Sequence, residues 1–172
     1  MAMVGLFWIA EDGGVYVGAQ PEGFGPGVRL TRDWVEGLGT GQSAVWGWSE
    51  IRSVAVRYVR VRSSARLLAT TAVDLVTNAV VGGGEAAAAF EVHLETADRT
   101  VELNAQSAAA LGGYVQSEYD LSVTLLERIA AGTAEVEALA DWGRVHAAEG
   151  TPRREEREAL LREWSEGSRS GG

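Results

Sequence analysis

The chain predicts an α+β fold built on an antiparallel sheet, and three observations carry that expectation. Residues Ala44 to Val61 (AVWGWSEIRSVAVRYVRV) and Phe90 to Asn104 alternate apolar and polar side chains as half-buried strands do. Residues Ala65 to Val81 and the chain beyond Ser107 repeat near 3.6 residues instead, the period of an amphipathic helix. Glycine, proline and acidic clusters fall between these segments, where turns need them.

Taken in order, Val4 to Ala10 and Val15 to Ala19 flank Glu11-Asp12-Gly13-Gly14 and read as a β-hairpin. Gln20 to Gly27 (QPEGFGPG) is a loop stiffened by Pro21 and Pro26. Val28 and Leu30 face one way and Arg29 and Thr31 the other, so a third strand ends there. Trp34, Val35 and Leu38 either continue it past a turn at Arg32-Asp33 or form a helical turn. After a polar turn at 39–43, the Trp46 strand follows, in which Ile51, Val54, Val56, Tyr58 and Val61 compete for the buried face.

The expected helix at 65–81 puts Leu68, Ala72, Leu75, Val76 and Ala79 on one side and Thr70, Thr71, Asp74, Thr77 and Asn78 on the other. Gly82-Gly83-Gly84 would end it. Phe90, Val92 and Leu94 then point inward from one strand, and Val101 and Leu103 from the next, across a turn at Ala97-Asp98-Arg99. Ser107 is expected to cap a long helix to about Ala131, with Leu111, Val115, Tyr119, Leu126 and Ile129 as its stripe. Gly132 ends it and Thr133 caps another helix, which Gly150 stops; Thr151-Pro152 opens a last one, largely solvated apart from Leu160, Leu161 and Trp164. The resulting division is a domain at 1–131 with a helical insertion at 65–84, a helical extension at 132–164 and a flexible tail from Ser165.

The run of apolar residue, Trp48, Ser49, Glu50, Ile51 and a valine-rich strand resembles a signature of bacterial pleckstrin-homology-like and GRAM-like domains. That resemblance, over about residues 4–131, implies a curved sheet of about seven strands closed at one end by a long helix. Members of this superfold bind phosphoinositides, peptides or proteins, so the fold by itself assigns no ligand. Glu11 and Asp12 stand in the first hairpin where lipid-headgroup binders carry basic residues, which argues against a phosphoinositide site there.

Composition narrows the chemistry. Cysteine is absent, which removes disulfides, thiolate nucleophiles and thiolate zinc sites. Lysine is absent too, all fifteen basic residues being arginine, so no Schiff-base or phosphate-loop lysine exists. The arginine and alanine excess suggests a GC-rich, actinobacterial source. The net charge of −9 is concentrated in the middle, with −4 over 63–105 and −5 over 106–150, and it opposes binding to nucleic-acid phosphates. No bilayer-length apolar stretch and no basic-then-apolar leader is present, so a cytoplasmic protein is expected.

The primary expectation is a non-enzymatic adaptor or scaffold that binds a protein partner or its own copy. Its contact residues would be Leu68, Ala72, Leu75, Val76, Ala79, Leu160 and Trp164. One alternative is a peripheral membrane module in which Arg57, Arg60, Arg62 and Arg66 hold anionic headgroups beside the helix at 65–81. The helix's nearly uncharged, threonine-rich polar face favours packing over membrane contact. A second alternative centres on His93 with Glu91, Glu95 and Glu102, as a divalent-metal site or a tuned general base. An exposed acidic strand face explains those residues more simply, and no cofactor or resident metal is expected. Trp8, Trp46 and Trp48 are expected as core or rim aromatics, each needing one partner for its indole N–H.

Overall fold

A computed structural model describes residues 1–62, 88–109 and 113–167. Among the described residues the fold is α+β: a six-stranded antiparallel sheet, a second sheet of three strands, and three α-helices. The first sheet is a meander of β1 (Ala2–Val4), β2 (Phe7–Ile9), β3 (Val15–Val17), β4 (Gly27–Leu30), β5 (Trp34–Leu38) and β6 (Ala44–Gly47), each strand pairing with the next. A single 3-10 turn at Trp48–Glu50 leads into β7 (Ile51–Arg57), the edge of the second sheet. There β9 (Ala89–Thr96) lies between β7 and β10 (Thr100–Gln106), while the short β8 (Val61–Arg62) pairs in parallel with β11 (Tyr114–Val115).

The expected hairpins form with alternation intact. Phe90, Val92, Leu94, Leu103 and Ala105 are buried, and Thr96 and Arg99 close the turn between β9 and β10. Trp34 to Leu38 continue as a strand, so the alternative of a helical turn is not taken. The first hairpin is preceded by another, because Gly5 adopts a φ of 58° and lets Ala2–Val4 turn back on Phe7–Ile9.

In β7 a register shift between Ile51 and Ser53 changes the parity of the strand, so Ile51 and Val54 both face the core although they lie three apart. Tyr58 does not join them. It takes a φ of 62° just beyond the strand and is 77% exposed, because the backbone turns there towards β8.

Two tethers hold the sheets together. The side-chain amide nitrogen of Gln42 lies 2.8 Å from the Leu38 carbonyl and 2.9 Å from that of Asn104, while its oxygen accepts the Asn104 N–H at 2.8 Å. Ala19 N–H donates to the Gln106 carbonyl at 2.7 Å. Between the layers Val17, Val28, Val35, Val92, Leu94 and Leu103 form one apolar core.

Helix α1 (Gln116–Ala130) packs on β7, and its buried residues are Glu118, Ser122, Leu125, Leu126 and Ile129. This corrects the expected start at Ser107 and the stripe through Tyr119. Residues 107–109 are not helical, Gly113 at φ 85° approaches the Arg60 backbone too closely for a side chain, and Val115 is in β11. Leu111 lies outside the described residues.

Gly132 ends α1 as expected, at φ 75°. Thr133 does not cap the next helix: its hydroxyl donates back to the Arg128 carbonyl at 3.2 Å, and α2 (Val136–His146) begins after Glu135. Gly150, at φ 90°, closes a 3-10 turn at Ala147–Glu149, and α3 (Arg154–Glu166) comes after it. Ser165 therefore belongs to α3 and is buried, with its hydroxyl on the Leu161 carbonyl, rather than starting a tail.

Candidate functional site

The C-terminal helices fold back on the chain's own first hairpin. Helix α3 packs beside α1 and against β1, and α2 packs on β2 and β3, where Gly143 leaves room for Ile9 and the Ala10 carbonyl. Polar contacts fix this arrangement. Arg157 forms a two-pronged pair with Glu118, Nε to Oε2 at 2.9 Å and a terminal nitrogen to Oε1 at 2.6 Å, and donates to the Pro152 carbonyl. The Ser122 hydroxyl donates to the Glu118 carbonyl and accepts Leu6 N–H, joining α1 to the β1–β2 turn.

A groove lies between α2 and α3. A cavity of about 510 Å³ includes Trp142, His146, Pro152 and Leu160, and an adjoining one of about 680 Å³ includes Ala138, Trp142, Leu160 and Trp164. Trp142 and Leu160 are half-buried and line both. The Trp142 ring meets Trp164 edge-on at 5.9 Å and leans on His146 at 5.6 Å, so its orientation is fixed by neighbours on both helices.

The rim is acidic. Glu135, Asp141, Glu149, Glu156 and Glu163 border the two cavities, against Arg153 and His146. Several of these carboxylates have local work: Asp141 pairs with Arg144, Glu149 lies 3.8 Å from His146, and Glu156 accepts the Arg153 N–H. Glu163 borders both cavities and is exposed.

The residues singled out from sequence fare unequally against this geometry. Leu160 lines the groove. Trp164 is buried beneath it, 6% exposed and in contact with Trp142, so it supports the surface rather than presenting one. Trp142, the central side chain of the groove, is not among the residues that sequence reasoning selects. Its signal is its place in the 3.6-residue period of α2, which does not say whether an aromatic faces the core or a cleft. Leu68, Ala72, Leu75, Val76, Ala79 and Arg66, with the whole expected helix at 65–81, lie outside the described residues.

Arg57, Arg60 and Arg62 are exposed at the end of β7 and through β8. His93 donates its Nε2–H to the Glu91 carboxylate at 2.7 Å and stands opposite Glu102 in register, while Glu95 accepts the Ser53 hydroxyl. Among the described residues no three His, Asp or Glu side chains converge to hold a metal ion. Trp48 donates its indole N–H to the Thr31 carbonyl at 2.9 Å; the buried Trp8 indole nitrogen has no partner among the described residues. No described helix is long and apolar enough to cross a membrane.

Comparison with protein-family models, curated proteins and solved structures finds no match.

Proposed function

We propose that this chain is a protein-interaction module, an adaptor or scaffold, and that the groove between α2 and α3 receives a segment of a partner protein. The observation that carries the reading is the half-buried Trp142–Leu160 surface: a rigid aromatic with an apolar neighbour, open to solvent and bordered by carboxylates. Central aromatics surrounded by a polar rim are where interface energy concentrates. The acidic border favours a basic segment, and the cleft between two helices suits an amphipathic helix laid along it. A cytoplasmic location fits this role.

A pleckstrin-homology-like architecture is the finer reading of the fold. It is supported by the antiparallel meander that turns through Trp48–Glu50 into a second three-stranded sheet, with α1 following the last strand.

The test is a titration of the full chain with a synthetic amphipathic peptide carrying leucines at i, i+3, i+4 and i+7 and arginines opposite, read by tryptophan emission. Binding with a blue shift, lost in Leu160→Arg and weakened in Glu163→Gln, is the expected result. Equal binding by Leu160→Arg would remove the groove from the proposal.

A further inference from the structure

Strands β3, β5, β7 and β10 all finish at the same end of the molecule. The Ala19 N–H on the Gln106 carbonyl and the Gln42 amide on the Asn104 carbonyl set the β3–β4 loop and the β5–β6 turn beside the finish of β10. Ala89 stands opposite Gln106, and Glu91 opposite Arg57, so the same level continues across β9 to the finish of β7.

Charge divides between the two ends. The turns at the far end hold Glu11, Asp12, Asp33, Glu50 and Asp98 against Arg32 and Arg99. At the near end, Glu22 is the one carboxylate in the described connections, and the exposed Arg57, Arg60 and Arg62 lie in and beside the β7–β8 link. Glu91, opposite Arg57, is hydrogen-bonded to His93.

The near end also presents the two most exposed aromatic side chains of the described residues, Phe24 at 90% and Tyr58 at 77%. Phe24 stands on a braced loop. The Gly25 N–H donates to the Glu22 carbonyl at 3.0 Å across a turn in which Gly23 takes φ 57°, and Gly39, at φ 101°, approaches the Gly25 carbonyl too closely for a side chain. Pro21 and Pro26 restrict the backbone on either side. The fold therefore holds an apolar ring outward without leaving its loop free to cover it.

We infer that this end of the molecule docks on an anionic lipid bilayer, Phe24 entering the interfacial layer and Arg57, Arg60 and Arg62 lying over the headgroups. Aromatic side chains settle at bilayer interfaces, and arginines gain from the negative surface potential of acidic lipids. Phe24 and the arginines are separated by the ends of β10 and β9, so contact with both needs a broad surface rather than a single strand of nucleic acid. The acidic far end then faces water, away from the lipid. The α2–α3 groove takes no part in this contact.

The experiment sediments the full chain with vesicles of phosphatidylcholine, with and without phosphatidylserine. Binding should require phosphatidylserine and weaken as salt is added. Phe24→Ser should lower the affinity about tenfold. Arg57→Gln, Arg60→Gln and Arg62→Gln should each lower it roughly fivefold. Urea midpoints should stay near wild type, because all four side chains are exposed. Where a midpoint shifts, slowed amide exchange at Gly23, Phe24 and Tyr58 of the wild type on vesicles gives the same answer without a substitution. The inference is overturned if the wild type binds neither vesicle or both equally, if the four variants bind as tightly as wild type, or if exchange at those amides is unchanged. Tighter binding to a single-stranded oligonucleotide than to the vesicles would give the arginines to a phosphate chain and overturn it as well.

Discussion

Arg157 and Glu118 show how a charge that reads as solvated in sequence becomes structural. Their side chains are 15% and 3% exposed, and the pair joins two helices that are 39 positions apart in the chain at this point. Removing one partner leaves the other charge buried and unpaired. Arg157→Leu should therefore cost about 3–5 kcal/mol in urea unfolding, while the double change Arg157→Leu with Glu118→Leu should recover much of that loss. Gln42 acts similarly at the junction of the sheets, and Gln42→Ala should cost about 1–3 kcal/mol because the Asn104 backbone loses both of its contacts with that side chain. Neither role shows in the sequence, since neither residue has a partner within helical or strand spacing.

At the scale of elements, the join between α1 and α3 carries a pH dependence. Glu158 is held below the usual carboxylate value first by the Ser117 hydroxyl and then by Arg154 and Arg162. A group whose folded pKa is depressed contributes stability above its unfolded pKa, about 4.3 for glutamate, and loses it as pH falls through the folded value. Urea midpoints measured across the acid range should fall less steeply in Glu158→Gln than in wild type. Helix α2 seats on β2 only because position 143 has no side chain. Gly143→Ala would drive a methyl into Ile9 and the Ala10 carbonyl, and its thermal transition should fall despite alanine's better helix propensity. Much of the element order was legible: the hairpin at β9–β10, the end of α1 at Gly132 and the break at Gly150 follow from alternation and glycine placement. The start of α1 was not, because Ser107 offers a capping side chain whether or not the chain beyond it turns helical. Instead Tyr114 lies in β11, opposite Val61 of β8, and its hydroxyl accepts the Ala108 N–H.

For the whole molecule, the consequential feature is that the C-terminal helices cover the N-terminal hairpin. Leu161 and Trp164 of α3, and Val136 and Leu139 of α2, sit in the same core as Val4, Phe7 and Ile9. Residues beyond 132 are thereby packed with the sheet. A chain ended at Gly132 should lose the cooperative urea transition of the full chain and expose tryptophan to solvent, measured by denaturation followed in parallel by fluorescence and circular dichroism. Two separable transitions in the full chain would instead show that the helices form an independent unit.

The sequence by itself determined the α+β class, most strand positions and their inward faces, the acidic middle of the chain, and the absence of thiol and lysine chemistry. These depend on residue type and on periods of two or 3.6, which are local. Only the tertiary structure decided that Trp164 is covered while Trp142 is half-buried, that the segment between α2 and α3 covers the β1 edge of the larger sheet, and that Arg157 is paired. Each of those depends on which distant segment arrives beside a residue, and local periodicity fixes the direction of a side chain without fixing what meets it.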